Sequence, residues 1–251
     1  MTHRPHPVLL ATLVTLMILA WSINLVVGKI GLRHMDVVSL AIFRIIAAGL
    51  LMGLLYLFRP ERRRFGMKDF WIFSKIGFFG VIMNMGMFTL GLKYTTAGHS
   101  AMVIALTPII VLVLAWAMRI ETLTALKTTG LTLSFIGVMI LATEQGIHLH
   151  SGTLVGDLLT IGCAIGFAVY TVLAKQVAPN YDSFTMNTFN LLASSIMLAP
   201  FAIYQGIRLD WAAVGWVGWL SILYMAGIGS VAAYLIYYWA LRQMAASRIA
   251  L

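Results

Sequence analysis

Nine apolar stretches, nearly free of charge, fill almost the whole of this 251-residue chain. The hydrocarbon core of a bilayer is about 30 Å thick and takes about 20 helical residues to cross. Eight of the stretches have that length. In lipid the backbone must satisfy its own hydrogen bonds, which leaves helices and closed barrels. A barrel strand would alternate apolar and polar residues over about ten positions, whereas these stretches are apolar all round. The pattern predicts helices over 8–29, 37–58, 70–92, 97–118, 124–143, 153–175, 183–205 and 213–241, with a ninth starting near 245. Composition agrees: 61% of residues are hydrophobic and 10% charged, against about half and a quarter in a soluble domain. Arg4 precedes the first run, but that run is long and no convincing cleavage site follows it, so it reads as an uncleaved helix rather than a signal peptide.

The first half of the pattern recurs in the second. Residues 10–55 align on 156–201 at a constant offset, so that Lys29 meets Lys175, Asp36 meets Asp182, Phe43 meets Phe189 and Ala47 meets Ala193. Residues 66–98 align on 215–247, where Gly66 meets Gly215, Gly80 meets Gly229, Leu92 meets Leu241, Lys93 meets Arg242 and Ala97 meets Ala246. The change of offset falls in a loop, where insertions cost little. Apolar sequences match by chance, so the charged matches near helix ends carry the argument. The units are 1–143, with five helices, and 153–251, with three helices and the start of a fourth. Five is odd, so the second unit enters the membrane from the opposite side. The expected fold is an all-α integral membrane protein built as an inverted five-plus-five repeat. The expectation includes a truncation: about eight helices and the start of a ninth are present, and about two are missing.

The net charge of +9 is distributed by side. With the N-terminus in the cytoplasm, twelve Lys and Arg fall inside and four (Lys29, Arg33, Lys93, Arg208) outside. That is a positive-inside bias. The cluster 59–68 dominates it and suits anionic headgroups. It is short and has no aromatic platform, which argues against nucleic acid. Membrane lipids and a small molecule are the expected partners, in a multi-pass cell-membrane protein. The sequence says nothing of oligomeric state.

Several motifs, in order, resemble one family. They are Trp21-Ser22-Ile23-Asn24 with Gly28-Lys29, Phe43-Arg44, the run Gly91-Leu92-Lys93-Tyr94-Thr95-Thr96-Ala97, and Leu106-Thr107-Pro108. Glu121, Gly130 and Gly137-Val138 follow, then Gly156-Asp157-Leu158, Tyr170, Lys175 and Tyr238-Trp239-Ala240-Leu241. Together they resemble the EamA-type transporters of the drug/metabolite transporter superfamily. The resemblance implies ten helices, cytoplasmic termini, and export or exchange of small polar or amphipathic metabolites. The family's substrates range over amino acids, sugars, nucleotide derivatives and drugs.

Polar groups deep in apolar helices are expensive and face protein or water. Six are candidate substrate-binding residues: Trp21, Asn24, Arg44, Asn84, Tyr170 and Tyr234. Arg44 stands near the middle of the second helix, either as an anion contact or as a cation fixing backbone carbonyls; its repeat partner is the neutral Asn190. Trp21 and Asn24 share a helical face and match Phe167 and Tyr170 in the repeat. The alternative for all six is interhelical hydrogen bonding. His99 reads as an interfacial histidine or a proton carrier. Pro108 should kink the fourth helix, either as a static bend or as a gating hinge. Gly49-x-x-x-Gly53 and Gly162-x-x-x-Gly166 should let helices approach closely.

All eight carboxylates lie in loops or near helix ends, so proton coupling through a carboxylate in mid-membrane has no support. Cys163 stands alone, and His148 and His150 lack further ligands nearby. Nothing calls for a metal or other cofactor, and no nucleophile constellation suggests an enzyme. A secondary transporter working by alternating access is the leading reading. A membrane enzyme, or a receptor or assembly protein that does not transport, are the alternatives.

Overall fold

The computed structural model describes residues 7–144 and 151–249. Every regular element among them is helical. They are α1 (Pro7–Gly31), α2 (Val37–Leu57), α3 (Met67–Tyr94), α4 (Ala97–Ile104 continued by Thr107–Ala117), α5 (Ala125–Glu144), α6 (Ser151–Val177), α7 (Ser183–Arg208), α8 (Gly215–Gln243) and the short α9 (Ala246–Ile249). Seven of these, α1–α4 and α6–α8, are long and apolar enough to cross a membrane. Arg4, His148 and His150 lie outside the described residues, as does the chain beyond Ile249.

The outside is as apolar as the core. Leu50, Ile203 and Leu126 point outward, at 68%, 67% and 84% exposure, as lipid contact requires. The interior holds Asn187, Asn190, Thr188 and Ser194, all fully buried. Small residues set the helix spacing. Gly49 of α2 lies against Ser195 and the Leu191 carbonyl of α7, so a Cβ there would strike the serine hydroxyl. Gly166 of α6 lies against the Phe79 carbonyl of α3, 2.9 Å from where its Cβ would stand.

The repeat reappears contact by contact. The Lys29 ammonium donates to the carbonyls of Leu92 and Thr95 at the end of α3. Lys175 donates to those of Leu241 and Met244 at the end of α8. Every atom pair corresponds at the sequence offsets. Asp36 caps α2, accepting from the amides of Val38 and Ser39, and Asp182 caps α7 through Phe184 and Thr185 in the same way. Each cap is also clasped from the far end of the other helix. Arg59, just beyond α2, donates to Asp182 at 2.6 Å and to the Thr185 hydroxyl at 3.3 Å. Gln205, near the end of α7, donates to Asp36 at 3.3 Å and to Ser39 at 3.2 Å. One clasp is therefore charged and its mate neutral.

Partial burial alone would raise the Asp182 carboxyl, but bonds from Thr185 and Arg59 outweigh it and hold the group below its ordinary range. At the same end of the bundle, Glu121 after α4 accepts from Lys127 at 2.7 Å and from the Ser247 amide at 3.0 Å, which ties α9 to α4. At the opposite end Asp157 accepts from Thr95 at 2.8 Å and faces His99 at 3.5 Å, so His99 sits at a helix end rather than in the core.

Helices α3, α4 and α8 are interrupted in ways that bear on the site. The break in α4 falls at Ala105 and Leu106, and Pro108 occupies the first turn of the segment that follows. There its missing N–H costs nothing, and the interruption falls in the turn before the proline, which its ring crowds, as expected of a proline within an apolar helix. Further, α3 and α8 are not α-helical throughout. Each contains a π-helical segment, Phe78–Met83 and Gly227–Ala232, at matching positions of the two units. The Asn84 amide bonds the Phe79 carbonyl five residues back. The segment in α8 leaves carbonyls that side chains take up: Gly229 accepts from the Trp21 indole at 3.1 Å and Val231 from Asn187 at 3.0 Å.

Candidate functional site

The two π segments, lying in α3 of the first unit and α8 of the second, flank a cavity of about 530 Å3 between α1, α2, α3, α4, α6 and α8. Five of the six predicted polar residues line it: Trp21, Asn24, Arg44, Asn84 and Tyr234. Pro108 lines it too, with Thr107. Most of the remaining wall is apolar, including Phe88, Phe167, Met85 and Ile104.

Each polar group has a definite setting. The Trp21 indole is anchored on the Gly229 carbonyl and stands edge-on to Tyr234, with ring centres 5.3 Å apart, and to Phe167 at 5.8 Å. Asn84 begins the α-helical second half of α3. Its amide donates to the Cys163 carbonyl at 3.1 Å, and its oxygen accepts from the Tyr234 hydroxyl at 3.3 Å. Thus α3, α6 and α8 are joined on one side of the cavity. Asn24 rests on Gly229: a Cβ there would stand 2.7 Å from the Asn24 oxygen, which has no hydrogen-bond partner. Arg44 is only 2% exposed, and its Nε and Nη1 have no partner either.

Tyr170 is the exception. It is fully buried and does not line the cavity. Its ring occupies the notch left by Gly80 in α3 and packs against Tyr234, Tyr237 and Tyr238. The contact is the repeat mate of Asn24 on Gly229, since Tyr170 matches Asn24 and Gly80 matches Gly229. Sequence reasoning missed the apolar lining, because an apolar side chain in an apolar helix carries no contrast. Phe167, as the repeat partner of Trp21, was a legible case. A second cavity, about 1140 Å3, lies between α1, α4, α5 and residues 243–248 and contains none of the predicted site residues.

The arrangement can hold a small molecule between an aromatic wall and a few fixed polar groups, in the way of ligand sites generally. Comparison with known proteins gives a consistent result. The model of the EamA-like transporter family matches residues 8–143 and 154–251. An uncharacterized transporter of Archaeoglobus fulgidus is 29% identical over 95% of this chain and 82% of its own length. The uncharacterized transporter YetK of Bacillus subtilis is 26% identical over 86% of this chain and 66% of its own. A crystal structure of a protein 17% identical in sequence superposes with a TM-score of 0.66, covering 96% of this chain and 82% of that one.

Proposed function

Because the chain belongs to the EamA-like transporter family, we propose that it is a secondary transporter that moves small metabolites, amino acids or related compounds among them, out of the cytoplasm by alternating access. The cavity at the interface of the two units carries this reading. Substrate binds to Trp21, Asn24, Arg44, Asn84 and Tyr234, and Tyr170 holds the wall behind them. Two units that pack by reciprocal contacts can rock about those contacts and open the site to either side in turn. The break in α4, with Pro108 beside the cavity, is the hinge of the first unit. The N-terminus and the loop 59–69 lie in the cytoplasm, on the strength of the Lys and Arg asymmetry.

Export from cells, screened over a metabolite panel, tests the proposal. With a substrate found, Asn84→Leu should lower transport about tenfold, the worth of a lost hydrogen-bond pair. Expression should stay near normal, and stability should fall by no more than about 1–3 kcal/mol, the cost of leaving the Cys163 carbonyl and the Tyr234 hydroxyl unpaired. Pro108→Ala should slow turnover and leave substrate affinity unchanged. A loss of transport only in step with a loss of folded protein would make these residues packing, not site.

A further inference from the structure

We infer that the substrate carries one negative charge, a carboxylate, on an apolar body, and that Arg44 is the group that binds it. This rests on the cavity being the transport site. A guanidinium stays protonated in proteins, and leaving it buried without a partner costs several kcal/mol. Yet Arg44 lines the cavity at 2% exposure with Nε and Nη1 unpaired. Among the described residues that line the cavity, none is acidic.

The carboxylates that could balance Arg44 are engaged elsewhere, at helix ends. Asp36 is held by its own cap and Gln205, Asp182 by Arg59, Glu121 by Lys127 and Ser247, Asp157 by Thr95 and His99, and Asp69 by Tyr181 and Arg63. The repeat supplies no counter-charge either. The position matching Arg44 is Asn190, a neutral amide with its own nitrogen and oxygen unpaired. Among the described residues no carboxylate meets Arg44, and a substrate is a partner that arrives and leaves.

The rest of the lining sets the body of that anion. Trp21, Phe88, Phe167, Met85 and Ile104 make the wall apolar, and about 530 Å3 suits a small organic acid. An ammonium group would find only neutral acceptors, such as the unpaired Asn24 oxygen. Within the range proposed above, the site therefore narrows the substrate from zwitterionic amino acids to related compounds that are monoanions, and it disfavours cations.

Three probes with one apolar body separate these cases: phenylacetate, phenylacetamide and 2-phenylethylammonium. They are titrated calorimetrically into the protein in lipid nanodiscs, in chloride-free buffer. Phenylacetate should bind about 30-fold more tightly than either of the others, the low end of what a buried charge pair is worth. Arg44→Gln should abolish that preference, and phenylacetamide binding that still responds to Trp21→Ala in this variant reports an intact cavity. Arg44→Lys keeps the charge without the planar fork. It should retain the preference at lower affinity, and it serves if the glutamine variant does not fold.

Equal binding of phenylacetate and phenylacetamide, both weakened by Trp21→Ala, overturns the charge assignment and leaves the cavity standing as a ligand site. Preference for phenylacetate that survives Arg44→Gln overturns the role of Arg44. Binding of no probe, or binding that neither Trp21→Ala nor Asn84→Leu alters, overturns the cavity reading and this inference with it.

Discussion

Gly80 and Gly229 each leave a notch that one side chain of the other unit fills, Tyr170 in the first case and Asn24 in the second. A methyl group at Gly80 would strike the tyrosine ring, which is fully buried among other tyrosines and has nowhere to go. Gly80→Ala should therefore lower stability by about 1–3 kcal/mol, the usual cost of overpacking. Gly86, in the same helix, has nothing within 4 Å of a Cβ. There the alanine should be neutral or stabilising by up to about 1 kcal/mol, from helix propensity alone. Thermal unfolding in detergent distinguishes the two, and equal effects would mean that Tyr170 does not sit in the notch. The sequence made Asn24, Arg44, Asn84 and Tyr234 visible because a polar group in an apolar helix must face inward. It could not tell a cavity from a glycine notch, since both bury a side chain equally well. That is why Tyr170 stood with the others until its surroundings were known.

Among the elements, α2 and α7 are each capped by an aspartate and clasped from the other's far end, once by an ion pair and once by an amide. Removing either cap costs about 1 kcal/mol, and the exposed ion pair adds at most about 1 kcal/mol. Asp182→Ala should therefore destabilise more than Asp36→Ala, and high salt should narrow the gap. The sign of the pH effect follows from the depressed Asp182 carboxyl. Its stabilisation is complete above the ordinary aspartate pKa and is lost as pH falls through the lower folded value. In Asp182→Ala that part of the acid sensitivity should vanish from the thermal midpoint. An unchanged acid limb would deny the clasp a role. Helix lengths were legible, because apolar runs are a strong signal, whereas Asp36 and Asp182 were read only as matched positions of the repeat and their capping came from the structure. The break in α4 was legible from Pro108, and it falls at Ala105 and Leu106, in the turn before the ring. The π segments left no trace in the sequence, since the same residues serve either ladder.

The described residues form two units packed reciprocally, with most of the Lys and Arg toward one end and Lys29, Arg33, Lys93 and Arg208 toward the other. Arg63 is stacked on Tyr181 and paired with Asp69, whereas Arg62 is free at the surface. Arg62→Cys should resist an impermeant thiol reagent applied to intact cells and react once the membrane is opened. Cys163 is buried and should stay silent. Labelling from outside would reverse the proposed orientation. The repeat was readable because charged residues at helix ends are matched for a reason, as Lys29 and Lys175 turn out to be. The π segments add a consequence of a different kind. A π turn carries an extra residue relative to an α turn, so each segment is a phase shift written into its helix. Deleting one residue within 78–83 would turn the rest of α3 by about 100°, and Asn84 would swing away from the cavity. The same deletion within 227–232 would take Tyr234 with it. The aim of the two groups that meet across this site is thus set by chain length, through a matched pair of single-residue insertions, and no substitution elsewhere in either helix could restore it.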